Sequence, residues 1–217
     1  MSPTTADYAY MSQLHYLVDK FDTEKATKKI NNKLRKKGLG EYEVKYLDRG
    51  ILQYKNTKDN SNIYSVKGTN PLNIKDLISD FRLGLGFSKN DRQFQNRKNE
   101  LKRLYRDNTG SNTMIGHSLG GSITTNAMVR SKSLRDNTEK VVNFNTGYTP
   151  MFNAELNKNL NRQDKADLNK KITHNHTMLD VISESLNLGA IGKVKSKILM
   201  TENPLSLHSL ISYIDGE

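Results

Sequence analysis

Apolar and polar positions change period several times along the chain, and the changes mark out elements. Over residues 6 to 37 the pattern is helical. Tyr8, Met11, Leu14, His15 and Val18 recur at spacings of three and four, which gathers them on one face of a helix. Thr23 can cap a second helix with Glu24 and Lys25 in its first turn, ending near Gly38 and Gly40. From Glu41 the period falls to two. Tyr42, Val44 and Tyr46 alternate with charged residues, as in a strand with one buried face. Ile51 to Tyr54 and Ile63 to Val66 predict two more strands, joined by the polar turn Asn56 to Asn62.

Beyond that hairpin, helix and strand signals take turns. Ile74 to Leu83 and Phe94 to Arg106 read as helices, Thr113 to Ile115 as a short strand, and Ile123 to Val129 as a helix. Val141 to Phe144 predicts a buried strand, and Asn153 to Lys171 a polar helix or long excursion. Ile172 to Ile182 and Ile198 to Met200 predict strands, and Leu205 to Ile214 a helix. Such alternation predicts an α/β fold: a central, mostly parallel sheet with helices on its faces. No internal repeat or linker interrupts it. The expectation is a single domain over 1–217, with residues 1–40 as a basic helical extension and 41–217 as the core.

Composition changes this picture little. At 217 residues the chain is long enough for a substantial core, and its hydrophobic share is 35%. Without cysteine, disulfides and thiolate metal sites are excluded. No apolar stretch approaches the roughly 20 residues that span a bilayer. Nor does the N-terminus carry a basic segment followed by an apolar run, so a cytoplasmic or virion-associated location is the expectation. The formal net charge is +11, a surface that attracts anionic partners. The second helix concentrates it in Lys25, Lys28, Lys29, Lys33, Arg35, Lys36 and Lys37. A solvated face and an anion-binding surface both fit that run. An AT-rich genome, whose codons favour Lys and Asn, is an alternative explanation of the charge.

The chemistry centres on Gly116-His117-Ser118-Leu119-Gly120-Gly121. This is a G-x-S-x-G turn between an apolar strand and a helix, the arrangement that lifts a serine hydroxyl above the sheet edge. Gly116 and Gly120 supply missing bulk where backbone crowds the turn, and Gly121 lets the helix pack close to the strand. The Leu119 amide, at the helix N-terminus, is a candidate oxyanion donor. A serine needs a general base, and the base an orienting carboxylate. In this turn's usual fold they follow in the order Ser, acid, His.

Of the five histidines, His15 and His117 precede or adjoin the serine. His208 follows a predicted strand at the head of an apolar helix, where the base belongs. Asp180 ends the apolar-flanked segment Thr177 to Ile182 and is the preferred acid; Asp164, Asp167 and Glu184 are rivals. His174, His176 and Asp180 spell H-x-H-x-x-x-D, but without a further ligand this is a weak metal pattern, and no metal is assigned.

These motifs resemble the class 3 lipases, the fungal triacylglycerol lipase-like branch of the α/β hydrolases, over roughly residues 63 to 213. Tyr64-Ser65-Val66-Lys67-Gly68-Thr69 is similar to that family's strand ending in R/K-G-T/S. Asp76 to Asp80 is similar to its D-W-x-x-D segment, with Leu77 in place of tryptophan. Gly116 to Gly121 spells G-H-S-L-G-G in full. Val142 to Gly147 occupies the place of V-x-T-F-G-x-P. Asp180-Val181-Ile182 stands where the family has D-x-V/I-P, with Ser183 replacing the proline. His208 to Tyr213 resembles the H-x-x-x-x-Y ending.

The resemblance implies an α/β-hydrolase fold and a Ser118–Asp180–His208 triad. It also implies a second oxyanion donor at Thr69, kept approachable by Gly68, and a structural role for Asp80. Leu83 to Ser88 lies where family members carry a lid, although an ordinary loop fits it as well. The expected activity is carboxylic-ester hydrolysis on lipids, with no cofactor and an anionic membrane surface as a transient partner; nucleic acid is not expected. Two other readings use the same scaffold: a non-catalytic binding protein docking through its basic face, and a peptidase or acyltransferase with the same triad.

Overall fold

The computed structural model of the chain describes residues 2–68, 86–147, 150–158, 160–177, 190–197 and 209–214. The expected helix at 74–83, the strand at 198–200 and residues 83–85 of the lid stretch lie outside them.

The N-terminal pattern resolves into three pieces. Helix α1 spans Thr5–Leu14, a 3-10 turn spans His15–Asp19, and α2 spans Thr23–Lys36. Thr4 caps α1 in a reciprocal capping box with Asp7. The cap of α2 is Asp22, one residue before the expected Thr23; its side chain accepts from the Lys25 amide. That helix ends where Gly38 adopts φ 83°. The Leu39 amide then reaches back to the Leu34 carbonyl at 2.9 Å, closing a Schellman-type end. Ala26, Ile30 and Leu34 line the buried stripe of α2, and the lysines face water.

Seven described strands form one sheet in the order of the sequence. They are β1 (Tyr42–Leu47), β2 (Ile51–Asn56), β3 (Asn62–Val66), β4 (Asn112–His117), β5 (Lys140–Phe144), β6 (Ile172–Thr177) and β7 (Lys193–Lys197). β1 to β3 pair antiparallel and β3 to β7 parallel. The parallel strands therefore need crossovers. Helix α3 (Gly86–Arg106) lies between β3 and β4. Helices α4 (Leu119–Arg130) and α5 (Lys132–Asn137) join β4 to β5, and α6 (Pro150–Lys158) and α7 (Arg162–Lys171) lie between β5 and β6. Helix α8 spans Ile211–Ile214. The polar stretch at 153–171 is thus two helices, which bury Phe152, Leu156 and Leu168.

Alternation along the strands splits the core between two faces. Tyr64, Met114 and Val141 point to a cluster with Leu101, Leu104, Ile123, Met128 and Leu156. Their neighbours Ile63, Ile115 and Val142 point to the opposite cluster, with Met11, Leu14, Ile30, Leu34, Leu210 and Tyr213. The N-terminal helices are therefore a wall of the second core layer. Strand β7, at the edge of the sheet among the described residues, was not expected from the sequence. Lys-Val-Lys-Ser-Lys lacks an apolar run, and its lysines suit an edge that must not pair with another chain.

Candidate active site

Strand β4 runs into α4 through one residue. Ser118 holds φ 56°, ψ −125°, a conformation that L-residues rarely adopt and that persists only when its surroundings impose it. The imposing contacts are visible. The Ser118 amide donates to the Phe144 carbonyl at 3.0 Å. Its own carbonyl accepts from Gly121 at 3.0 Å and from Gly147 at 3.1 Å. The turn is thereby fastened to the end of β5.

Side-chain bulk is excluded around it on all sides. A Cβ on Gly116 would stand 2.7 Å from the Gly120 carbonyl oxygen and 2.8 Å from Asn143 Oδ1. One on Gly120 would collide with the Val66 carbonyl, and one on Gly121 would meet Thr146 Oγ1 at 2.6 Å. Gly68, just past β3, presses on the turn from the other side. A Cβ there would lie 2.6 Å from the His117 carbonyl oxygen, 3.0 Å from the Leu119 amide nitrogen and 3.1 Å from Ser118 Cβ. Gly68, Gly116, Ser118, Leu119, Gly120 and Gly121 thus crowd together at one turn. Leu119 opens α4, where first-turn amides have no intrahelical acceptor.

Ser118 Oγ is buried and has no hydrogen-bond partner among the described residues. Thr69, Asp180 and His208 lie outside the described residues, as do Glu184 and Asp76 to Asp80.

Polar side chains beneath the turn are tied into a network. Asn143 Oδ1 accepts from Thr124 Oγ1 at 2.8 Å, and Asn143 Nδ2 donates to the Gly121 carbonyl and to Thr125 Oγ1, each at 3.2 Å. These bonds satisfy groups that would otherwise be costly to bury. Past the ends of β5 and β6 a second set forms. Asn145, at φ 42°, accepts on Oδ1 from the Thr177 amide at 3.0 Å and from the Tyr213 hydroxyl at 2.8 Å. That hydroxyl also lies 3.3 Å from Thr177 Oγ1.

The other described histidines have structural partners. His174 Nε2 is 3.0 Å from the Ile191 carbonyl and Nδ1 is 2.9 Å from Thr146 Oγ1. Since a carbonyl can only accept, Nε2 carries the proton and Nδ1 accepts from the threonine. Burial pushes its pKa down to about 4. His15 repeats the pattern, with Nε2 on the Asp48 carbonyl at 3.2 Å and Nδ1 on Ser65 Oγ at 3.3 Å. Burial lowers it to about 4 as well. His176 Nε2 meets Ser196 Oγ at 2.7 Å. Among the described residues no cluster of His, Cys, Asp or Glu is placed to hold a metal ion. The rival acids serve elsewhere: Asp164 lies 3.5 Å from Arg135, and Asp167 accepts from Gln163 at 3.2 Å.

Two residues beside the turn carried no signal in the sequence. Tyr16, from the 3-10 turn, places its hydroxyl 2.8 Å from His117 Nδ1. Asn145 adopts a positive φ that nothing in its local sequence marks.

No protein-family model and no curated protein matches the sequence. Solved structures do match the fold. The crystal structure of M37 lipase superposes with a TM-score of 0.59 at 15% identity, covering 84% of this chain and 70% of that one. Lip2 lipase from Yarrowia lipolytica gives a TM-score of 0.44 at 15% identity, over 77% of this chain and 69% of that one. With its sheet order and strand-turn-helix at Ser118, the chain has the α/β-hydrolase fold that the sequence motifs anticipated, the fold it shares with M37 lipase.

Proposed function

We propose that this lipase-like α/β-hydrolase chain is a serine hydrolase of carboxylic esters, with Ser118 as nucleophile, Asp180 and His208 completing the triad, and Leu119 and Thr69 as oxyanion donors. The observation that carries the reading is the Ser118 turn itself. A positive-φ serine, glycines on every crowded side and a buried hydroxyl without a described partner form a costly arrangement with no stabilising purpose of its own.

The bonds at Asn145 support the placement of the other two. Thr177 and Tyr213 share that one amide oxygen, and β5 leads into it directly after fastening Ser118. Asp180 follows Thr177 by three residues and His208 precedes Tyr213 by five. At about 3.5 Å per residue, the two lie within roughly 11 Å and 18 Å of those anchors along the chain. In the proposed reaction His208 takes the Ser118 proton as Oγ attacks the ester carbonyl. It then gives the proton to the leaving alcohol, and water cleaves the acyl-enzyme by the same route. Asp180 holds the imidazole tautomer. One oxyanion donor is worth about 3 kcal/mol of barrier.

For substrate we favour lipid esters, met at an anionic phospholipid surface that the charge of +11 attracts. Residues 1–217 act as one catalytic domain in this reading.

The test is a fluorophosphonate probe, with and without lipid. Labelling of the wild type but not of Ser118→Ala, with loss of turnover in His208→Ala and Asp180→Asn, supports the hydrolase. An unlabelled wild type that binds anionic vesicles or DNA would instead make the fold a binding scaffold.

A further inference from the structure

We propose that Tyr16 is a positioning residue for the oxyanion side of the Ser118 turn, delivered to the site by the N-terminal helical segment. The proposal rests on the hydrolase reading above and extends it to a residue 101 positions away in sequence from its partner.

The geometry has three parts. The Tyr16 hydroxyl is 2.8 Å from Nδ1 of His117, the residue before the nucleophile. Its ring meets that imidazole edge to face, with centroids 5.8 Å apart and planes at 76°. The ring centroid also lies 5.4 Å from Nζ of Lys67, the residue before Gly68. Tyr16 thus meets the residues that precede Gly68 and Ser118. Those residues belong to the two backbone segments that press together here, since a Cβ on Gly68 would lie 3.0 Å from the Leu119 amide nitrogen. Tyr16 therefore spans the seam whose width sets where an oxyanion donor points.

The tyrosine is itself held in place. The neighbouring Asp19 pairs with Lys67, and Lys67 Nζ sits 5.4 Å from the Tyr16 ring centroid. Burial raises the Tyr16 pKa well above that of a free phenol, so the hydroxyl remains a neutral donor across the working pH range. Because the hydroxyl touches no reacting atom, its effect passes through His117. A donor misplaced by a fraction of an ångström weakens transition-state binding more than ground-state binding.

The test compares Tyr16→Phe with Thr4→Ala in the full chain, on a soluble p-nitrophenyl ester. Tyr16→Phe keeps the ring and removes the bond. We expect kcat to fall about tenfold with KM within about twofold, fluorophosphonate labelling to slow in parallel, and a Tyr16→Phe/His117→Ala double variant to lose no more than the worse single one. Thr4→Ala removes the cap of α1 in the same N-terminal segment without touching the seam, and should lower Tm while leaving kcat near wild type. Wild-type kcat in Tyr16→Phe overturns the proposal, and so does an equal kcat loss in Thr4→Ala, which would reveal general anchoring. If the Phe variant does not fold, Tyr16→Trp, which retains a ring and an N–H donor, must keep more kcat than Tyr16→Leu; the reverse order also overturns it. Failure of the underlying hydrolase reading looks different: the wild type itself is then neither active nor labelled.

Discussion

The Tyr213 hydroxyl donates to Asn145 Oδ1 at 2.8 Å, which joins the last described helix to the residue just past β5. Asn145 Oδ1 also accepts from the Thr177 amide at 3.0 Å, so one side-chain oxygen gathers three chain segments at the edge that carries Ser118. Tyr213→Phe removes the hydroxyl bond to Asn145 Oδ1 and keeps the one from the Thr177 amide. The expected loss is about 1–2 kcal/mol of stability by urea denaturation. Ester hydrolysis should fall by more than the unfolded fraction explains, because the segment before Tyr213 carries His208. Unchanged turnover would show that the clamp does not position that segment.

Ser118 occupies φ 56° and ψ −125°, where glycine is at ease and serine is strained. Ser118→Gly should abolish turnover and raise stability. Relief of about 1–3 kcal/mol of strain is partly offset by the greater freedom of glycine in the unfolded chain. A net rise of about 1 kcal/mol should appear as a higher Tm. A variant less stable than wild type would mean that the turn is not strained.

Two glycines should respond differently to alanine. Gly38 has φ 83° with nothing within 4 Å of an added Cβ, whereas a Cβ on Gly120 would collide with the Val66 carbonyl of β3. Gly38→Ala should cost about 1 kcal/mol, from backbone strain alone, and keep full activity. Gly120→Ala must push α4 off the sheet, and folded, active protein should be lost. Circular dichroism and specific activity on the purified variants decide the matter.

Acid should destabilise the chain through two buried imidazoles. His15 and His174 are each lowered from 6.5 to about 4 by burial. Between those values the unfolded chain binds more protons than the folded one, so stability falls as pH drops from 6.5 toward 4. The loss is roughly 2 kcal/mol per imidazole by pH 5. Urea midpoints at pH 7, 6 and 5 should decline, with a shallower slope in His174→Gln. A flat profile would place these rings in contact with solvent.

Helix α2 turns its lysines outward while Ala26, Ile30 and Leu34 face the core. If this face draws the chain to anionic lipid, replacing Lys25, Lys29, Lys33 and Lys36 by Glu should weaken sedimentation with phosphatidylglycerol vesicles. Raising the salt from 0.05 to 0.5 M should do the same to the wild type. Binding indifferent to both changes would leave α2 as a solvated surface.

The sequence made much of this legible, for reasons that act over a few residues. Period-two alternation at Tyr42 and Val44 marked β1 because successive side chains in a strand face opposite ways. A bulge after Val44, however, turns Tyr46, expected on the same face, to the opposite core cluster. The Gly116 to Gly121 spacing marked the Ser118 turn, because only glycine fits where backbone approaches backbone. Strand β7 escaped notice because its edge position allows lysines where an inner strand would need apolar residues. The two helices at 150–171 read as one polar helix or long excursion, since each buries a few residues and exposes the rest.

What the sequence by itself determined is the alternation of most strands and helices and the position of the strand-turn-helix at Ser118. Both follow from local steric and periodic rules. Only the tertiary structure decided that His15 and His174 are buried supports, that Gly68 closes against Ser118, and that Tyr16 meets His117 across 101 residues of chain. Such bonds depend on how separate elements stack, and no short-range rule encodes that.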